Sequence, residues 1–415
     1  MLKLIWEKVM KVENVKVEKL DNLGRGIARI DNKIVFIENA LPEEVVDIEI
    51  IKDKKNYSLA RRVNLEKKSK YRREICPYSD FCGGCDLISL EYDKQLEYKQ
   101  NKIEELVRRN LGCGIKINNI IYDKDFAYRN KILLHIMQEK LGFFEQMTNN
   151  IVDIDKCLLV NDRINSLISL IKKFIKNNRE LKSVVIRSSS NGDTMLIFSG
   201  NVSKELLLES FSMVDVIVLN NKLVKGQFIK ERLGDKEFLI YPNSFFQVNM
   251  FNTLNLYNEV KRMTYNKKYG NILDLYCGTG TIGIFLSQIA TSVVGIEVVE
   301  DAVIAAKSNA DINNVENIKF ICGRVEDYID RFNNIDLIIV DPPRSGLDKK
   351  TIDNVKRINP KEIIYVSCDP MTLVRDLKEL GEDYLIREIT PVDMFPNTHH
   401  VECVSVLHRK NLLKN

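Results

Sequence analysis

The sequence predicts an α/β protein whose carboxyl-terminal part is a doubly wound sheet, preceded by a small β-barrel and an α+β central domain. From Asn271 onward, strand-like and helix-like segments alternate strictly, as in "NILDLY", "SVVGIEV", "DLIIVD" and "EIIYVS". Residues 12–63 instead alternate apolar and polar positions in short runs, which is typical of a barrel of about five strands. A chain of 415 residues is long enough for about three domains.

Composition and charge narrow the class of protein. The sequence has no run of about 18 apolar residues and no cleavable leader at its start, so we expect a cytoplasmic protein that does not cross a membrane. Cytoplasmic thiols stay reduced, and nine cysteines therefore indicate metal binding or catalysis. The net charge is only +4, but ten Lys or Arg against two acidic residues lie in the basic stretch Lys52–Arg73. Such a stretch is either a solvated face or a contact with nucleic acid.

The region between the barrel and the alternating strands has three parts. First comes the cysteine segment, "CPYSDFCGGCD" at residues 76–86, with three cysteines in ten positions. A long helix follows from about Tyr92 to Asn110, because apolar residues recur there at helical spacing. Residues 126–245 mix short strands and helices without strict alternation, which predicts the α+β domain.

A glycine-rich turn follows the first strand of the alternating region. In "DLYCGTGTIGI", Gly278, Gly280 and Gly283 stand at the junction between a strand and a helix. Glycines let the backbone turn tightly and approach a ligand, and Glu297 at the end of the next strand can accept hydrogen bonds from ribose hydroxyls. The pattern predicts a site for a nicotinamide dinucleotide or for S-adenosylmethionine, without separating the two.

Three later strand ends carry reactive side chains. Asp341 begins "DPPRSGL", Cys368 lies in "VSCDP" at a turn into a helix that favours a thiolate, and Glu402 lies in "HVECV". Addition of a thiolate to carbon 6 of uracil makes carbon 5 nucleophilic toward a methyl sulfonium, and a base must then remove the proton from carbon 5. Cys368 and Glu402 can supply these two groups. The alternative is a buried packing cysteine and a carboxylate in an ion pair.

Taken in their order along the chain, these segments resemble the family of S-adenosylmethionine-dependent RNA 5-methyluridine methyltransferases. The resemblance covers nearly the whole chain and rests on the cysteine segment, "NSFFQVN", "DLYCGTG", "DPPRSGL", "VSCDP" and "HVE". It implies a Rossmann-like class I methyltransferase domain at the carboxyl terminus. It also implies a TRAM-like, OB-like barrel at the amino terminus, as in the branch of the family that modifies 23S ribosomal RNA.

The resemblance assigns a role to each matching residue. It implies that Cys368 is the nucleophile and Glu402 the base. The residues implied to bind S-adenosylmethionine are Gln247, Tyr276, Gly278, Glu297 and Asp341. Thr281 stands where some relatives have Asn, so a side-chain contact from that position is left open. Arg129 and Lys131 in "YRNK" are either RNA contacts or a solvated strand edge.

The resemblance also implies the domain boundaries and the partner. Residues 1–68 would form the TRAM-like RNA-binding barrel, residues 69–92 and 126–243 the central domain, and residues 93–125 and 244–415 the methyltransferase domain. The expected partner is RNA, and 23S ribosomal RNA in particular. We expect no DNA and no membrane as partners, and a monomer.

The three cysteines Cys76, Cys82 and Cys85 need a fourth ligand to complete a four-thiolate metal site. Spacing leaves Cys113 and Cys157 open as that ligand, and four thiolates can hold zinc or an iron-sulfur cluster. The resemblance favours Cys157 and a [4Fe-4S] cluster. We expect the cluster to be structural or to help present RNA, without transferring electrons in the reaction.

Four other functions compete with methylation of 23S ribosomal RNA. The same catalytic motifs serve the equivalent uridine of transfer RNA. An amino-group methyltransferase also uses a D-P-P motif, but it places an aromatic residue fourth, where this chain has Arg344. The chain could instead be an iron-sulfur oxidoreductase that binds NAD at the glycine-rich turn, or an RNA-binding protein without catalysis. Binding of S-adenosylmethionine and formation of an RNA adduct separate these functions.

Overall fold

The structure is a computed structural model that describes residues 10–410, in two compact units. The first unit contains residues 10–98, 143–152 and 395–399, and the second contains the remaining described residues. The outermost residues of the predicted barrel and methyltransferase domains, 1–9 and 411–415, lie outside the described residues. The three-domain division stays a prediction.

The amino-terminal part of the first unit is a six-stranded sheet. Its strands are β1 (Met10–Lys16), β2 (Lys19–Leu20), β3 (Gly26–Ile30), β4 (Lys33–Glu38), β5 (Val45–Asp53) and β6 (Tyr57–Lys67), in the order β1-β5-β6-β4-β3-β2. Because neighbouring strand residues point to opposite faces, the alternating apolar positions collect in one core. This core contains Val15, Val17, Ala28, Val35, Ile37, Ala40, Val46, Ile48 and Ala60. The sequence predicted about five strands, and the sixth strand in the structure is the two-residue β2.

A long helix and a short strand follow the cysteine segment. They are α1 (Tyr92–Leu111) and β7 (Lys116–Ile117). The helix agrees with the sequence prediction to within one residue at its end. Ile103, Leu106 and Val107 of α1 are buried in the core of the carboxyl-terminal sheet described below.

A second sheet corresponds to the predicted α+β region. Its elements are β8 (Lys131–Met137), β9 (Lys140–Phe144), β10 (Ile151–Asp153), α2 (Asp162–Ile175), β11 (Leu181–Ser188), β12 (Thr194–Gly200), α3 (Lys204–Ser210), β13 (Val216–Leu219) and β14 (Lys222–Lys225). The strand order is β10-β9-β8-β11-β12-β13-β14. A separate hairpin of β15 (Ile229–Leu233) and β16 (Lys236–Ile240) follows.

The carboxyl-terminal sheet has eight strands. Its elements are α4 (Met250–Met263), β17 (Tyr269–Leu275), α5 (Thr281–Leu286), β18 (Ala290–Glu297), α6 (Glu300–Ile312), β19 (Ile318–Cys322), α7 (Val325–Tyr328), β20 (Leu337–Val340), α8 (Lys349–Ile358), β21 (Glu362–Ser367), α9 (Pro370–Leu380), β22 (Tyr384–Val392) and β23 (Glu402–Arg409). The strand order is β19-β18-β17-β20-β21-β23-β22-β7.

The directions of these strands decide where the site lies. Strands β17 to β21 run parallel, whereas β23 runs antiparallel to its neighbours β21 and β22. The carboxyl ends of the parallel strands therefore meet the amino end of β23 at one edge of the sheet. Ligands of open α/β sheets bind at such an edge. Within residues 10–410, no helix combines the length and the apolar character that a membrane crossing needs.

Candidate active site

One cavity of about 650 Å³ opens at this edge of the carboxyl-terminal sheet. It is lined by all seven residues that the sequence assigned to catalysis or to S-adenosylmethionine. These are Gln247, Tyr276, Gly278, Glu297, Asp341, Cys368 and Glu402. They come from chain positions more than 150 residues apart, so the sheet topology brings them together. Their individual roles remain predictions.

The glycine-rich turn gives the cavity one wall made of backbone. Gly278 and Gly280 have φ angles of 54° and 77°, in the left-handed region that glycine adopts without strain. A Cβ atom on Gly280 would lie 2.7 Å from the Phe320 ring, whereas one on Gly278 would meet no atom within 4 Å. The backbone at Gly278 is therefore open to a ligand. Tyr276 also has a positive φ, 61°, which is a strained conformation for a bulky residue and is typical of functional sites.

Glu297 is fixed in place by the same turn. One carboxylate oxygen accepts the backbone N–H of Gly278 at 3.1 Å, and the other accepts that of Val299 at 2.9 Å. A carboxylate has about four acceptor positions, so two remain for ligand hydroxyls. The cavity thus offers the two features that S-adenosylmethionine requires, an open glycine backbone and an oriented carboxylate beside it. The residues present fit this ligand.

Two acidic side chains beside the turn have pKa values well above those of ordinary aspartates. Burial raises the pKa of Asp341 to about 7. Asp274, which accepts the backbone N–H of Gly283 at 3.0 Å, has a pKa raised to about 8 by burial and by the charge of Asp341. The sequence prediction did not include Asp274. The sequence did indicate that Asp274 is unusual, since it is an acidic residue inside the apolar run of β17.

Glu402 is the buried acid at the amino end of β23. Its side chain is only 4% exposed, and burial followed by the charge of Asp341 raises its pKa to about 8. In the part of the chain that the structure describes, its Oε2 atom is buried without a hydrogen-bond partner. Buried polar atoms are nearly always paired, so this oxygen marks a place where a ligand group belongs.

The ionisation state predicted for Cys368 is wrong for the protein without ligands. The sequence predicted a thiolate, because the cysteine precedes a helix. In the structure, burial and the charges of Glu402 and Asp341 raise the pKa of Cys368 to about 11, although Arg344 opposes this shift. The helix start gives no help, because Asp369 caps α9 and accepts the backbone N–H groups of Met371 and Thr372. The free protein therefore holds Cys368 as a thiol.

Several cavity residues were missed by the sequence analysis. Thr281, whose contribution was left open, lines the cavity, and its hydroxyl is 2.7 Å from that of Tyr257 on α4. Phe245 lines the cavity with 67% of its surface exposed. An exposed aromatic side chain beside a reactive cysteine suits stacking on a base. The letters "FFQ" gave no means of telling which phenylalanine is exposed.

The predicted metal site is not supported by the structure. Among residues 10–410, no three His, Cys, Asp or Glu side chains are grouped as ligands of one metal ion. The cysteine segment is shaped by main-chain hydrogen bonds. Cys82 N–H donates to the Tyr78 carbonyl within the segment at 2.8 Å, and Gly83 N–H donates to the Phe144 carbonyl of β9 at 3.0 Å. The fourth predicted ligand, Cys157, belongs to the second compact unit. The residues of the segment, Cys76, Cys82 and Cys85, thus do not by themselves form a metal site, and no chemical step is assigned to a cluster.

Comparison with known proteins identifies the class and the family. A solved structure described as the Pyrococcus abyssi tRNA (uracil-54, C5)-methyltransferase in complex with S-adenosyl-L-homocysteine superposes with a TM-score of 0.80 and 31% sequence identity, covering 95% of this chain and 99% of that one. The fold and the site thus define a class I S-adenosylmethionine-dependent methyltransferase. The sequence profile described as tRNA (uracil-5-)-methyltransferase matches residues 212–410, and the TRAM domain profile matches residues 7–63.

Two curated relatives agree over almost their full length. A protein of Clostridium acetobutylicum, named as an uncharacterized RNA methyltransferase, is 35% identical over 97% of this chain and 99% of its own. One from Staphylococcus aureus with a name of the same kind is 33% identical over 95% and 97%. The chain therefore belongs to the RNA (uracil-5-)-methyltransferase family, with a TRAM domain at its amino terminus.

Proposed function

We propose that this protein transfers a methyl group from S-adenosylmethionine to carbon 5 of a specific uridine in 23S ribosomal RNA. The observation that carries the proposal is the meeting of Cys368, Glu402 and the glycine-rich turn in one cavity. A nucleophile and a buried carboxyl group facing the same space are what uracil carbon 5 chemistry needs. A NAD-dependent oxidoreductase has no use for this pair.

The proposed reaction assigns each bond change to a side chain. The Cys368 sulfur forms a bond to carbon 6 of the uracil, and the electron pair of the 5,6 double bond becomes available at carbon 5. S-adenosylmethionine, when bound, would supply an electrophilic methyl group to carbon 5, with its methyl–sulfur bond breaking and S-adenosyl-L-homocysteine as the leaving group. Glu402 then removes the proton from carbon 5, the double bond forms again, and the Cys368 thiolate leaves. Cys368 must lose its proton before or during the addition.

The target uridine has to leave its stack to reach Cys368. Unstacking costs a few kcal/mol unless the base already lies in a loop, and the exposed Phe245 offers a surface for a displaced base. Arg129 and Lys131 remain candidate RNA contacts. Burial, together with the charges of Arg187 and Arg129, lowers the pKa of Lys131 to about 8, so a phosphate placed there would favour its charged form.

Only some of the ten cations in the basic stretch Lys52–Arg73 are available to bind RNA. Arg61, Arg62 and Arg72 are used in ion pairs with Glu49, Asp80 and Glu44. In the described chain, five exposed lysines of this stretch form no ion pair. They are Lys52, Lys54, Lys55, Lys67 and Lys70. These side chains are available to RNA phosphates.

A second candidate substrate is the equivalent uridine of transfer RNA. The Pyrococcus abyssi enzyme is named for tRNA, and its match covers 95% of this chain, so the match extends into the barrel that favoured 23S ribosomal RNA. Mapping 5-methyluridine in the 23S ribosomal RNA and the transfer RNA of cells with and without the gene separates the two. Loss of one 23S site supports the proposal. Loss in transfer RNA alone favours the second candidate, and loss in neither contradicts both.

The four-cysteine [4Fe-4S] site is retained only as a proposal from the sequence. It predicts about four iron atoms per chain in anaerobically purified protein, and loss of that iron in Cys82→Ser and Cys157→Ser variants. Cys113→Ser, at an exposed cysteine, is the matched control and should keep the iron. Wild-type protein that contains no iron would show that these four cysteines do not hold a cluster.

A further inference from the structure

Arg187 on β11 is a buried cation that the proposed chemistry does not use. It is 2% exposed, and burial lowers its pKa to about 10, while the charge of Glu231 acts in the opposite direction. Its guanidinium donates to two backbone carbonyls, those of Ser244 and Phe246, each at 3.5 Å. A buried charge is costly unless it is hydrogen-bonded, so Arg187 needs these two carbonyls as partners. Because such charge-assisted hydrogen bonds are strong, they hold the main chain that carries the carbonyls in place.

The main chain in question is the 244–249 segment, which forms part of the cavity wall. Phe245, Phe246 and Gln247 all line the cavity, and of these Phe246 is buried whereas Phe245 is exposed. The two carbonyls bound by Arg187 lie on either side of Phe245 and immediately before Gln247. A shift of this main chain would move these three cavity side chains together.

A second side chain holds the same segment. Asn130 donates its backbone N–H to the Val248 carbonyl at 2.9 Å, and its side-chain amide donates to the Gln247 carbonyl at 3.4 Å. The same amide lies 3.4 Å from Glu231, which is fully buried and accepts the backbone N–H of Ser190 at 2.9 Å. Glu231 thus supplies a negative charge to offset Arg187 and orients Asn130.

We propose that Arg187 is a positioning residue, which holds the 244–249 segment so that Gln247 meets S-adenosylmethionine. The inference rests on the proposed contact between Gln247 and the cofactor. It predicts that Arg187 affects cofactor binding although its side chain does not line the cavity. The effect is transmitted through the backbone of Ser244 and Phe246. Asn130 and Glu231 help to hold the same segment.

The first test measures the dissociation constant of S-adenosyl-L-homocysteine by calorimetry on the full chain. Arg187→Met should weaken binding about tenfold. Arg187→Lys keeps the charge but lacks the planar fork that reaches two carbonyls, so we expect a loss of about threefold. The matched control is Ile186→Ala, next to it in β11 and fully buried, which should lower the melting temperature while changing the dissociation constant less than twofold. If Arg187→Met does not fold, Arg187→Lys carries the test.

A double-mutant cycle with Gln247→Ala then separates the inference from the proposed contact. If Arg187 acts through Gln247, the double variant binds no more weakly than Gln247→Ala alone. Additive losses, or wild-type affinity in both Arg187 variants while Gln247→Ala is impaired, would overturn the role of Arg187 and leave the contact standing. Wild-type affinity in Gln247→Ala would remove the contact itself, and with it the basis of the inference.

Discussion

Ser367 on β21 is the register partner of Cys403 on β23. Cys368 directly follows the last residue of β21, and Glu402 is the first residue of the antiparallel β23. The proposed nucleophile and base are therefore 34 positions apart in sequence but lie at neighbouring ends of two paired strands. Cys403 itself is fully buried in the core, so neighbouring positions of β23 serve packing and chemistry separately.

Removing the Cys368 thiol should abolish the reaction while leaving cofactor binding intact. We expect Cys368→Ala to lower methyl transfer at least about 10³-fold, because carbon 5 becomes nucleophilic only after a thiolate has added to carbon 6. Its affinity for S-adenosyl-L-homocysteine should stay within about twofold of wild type. The measurement is the transfer of a tritium-labelled methyl group from S-adenosylmethionine to RNA. Formation of a covalent adduct with 5-fluorouridine RNA is measured alongside it. Cys322→Ser, at an exposed cysteine, is the matched control. Residual adduct in Cys368→Ala would point to another nucleophile.

Removing the base should stop the reaction at a later point. Glu402→Gln keeps the shape of the side chain but cannot accept the carbon 5 proton, so a covalent protein-RNA adduct should accumulate on ordinary uridine RNA. A denaturing gel detects it as a shifted band that requires S-adenosylmethionine. Glu209→Gln, at an exposed position of α3 that does not line the cavity, should turn over normally. A Glu402→Gln variant that shows neither adduct nor lost activity would exclude Glu402 as the base.

The pH dependence follows from two raised pKa values. Glu402, with a pKa of about 8, and Cys368, with a pKa of about 11, must both lose a proton to act. The quantity kcat/KM, which reports the free enzyme, should therefore rise from pH 6 to pH 9 without a maximum near neutrality. A profile that falls over this range would contradict the assignments.

Protein stability should depend on pH in the opposite sense. The ordinary pKa of a glutamate is 4.5, and that of Glu402 in the folded protein is about 8. Between these values the unfolded chain has lost the proton that the folded protein keeps, so the free energy of unfolding falls as pH rises. Glu402→Gln, which has no charge to bury, should raise the melting temperature at pH 8.5 and hardly at pH 4.5. Equal shifts at both pH values would contradict the burial of an ionisable group.

The exposed lysines should control RNA affinity through charge alone. Replacing Lys54 and Lys55 by Gln should weaken binding to any RNA and lower the slope of the salt dependence by about 0.7–0.9 for each phosphate that is no longer neutralised. Arg61→Gln, which removes a cation already paired with Glu49, should have less effect. Filter binding over a series of salt concentrations measures both the affinity and the slope. An unchanged salt slope would mean that RNA does not touch this face.

Much of the site was predictable because strand ends are visible in a sequence. Apolar runs followed by "DPP" and "SCD" fixed the positions of Asp341 and Cys368, and parallel strands bring their carboxyl ends together. The charge state of Cys368 was not predictable in the same way. It depends on burial and on the distances to Glu402 and Asp341, which are set by packing between segments remote in sequence. Arg187 was invisible for the same reason, since its partners lie 57 and 59 positions away.

The unpaired Oε2 atom of Glu402 provides a way to detect small molecules that bind in the cavity. Any small heterocycle that enters the cavity and offers one N–H group to this oxygen satisfies a buried acceptor, and the bound protein should melt at a higher temperature. Fragment libraries can therefore be screened by thermal shift, without RNA and without a methyl donor. Hits that lose their effect in Glu402→Leu, which has no acceptor, would be leads for inhibitors that occupy the place of the uracil.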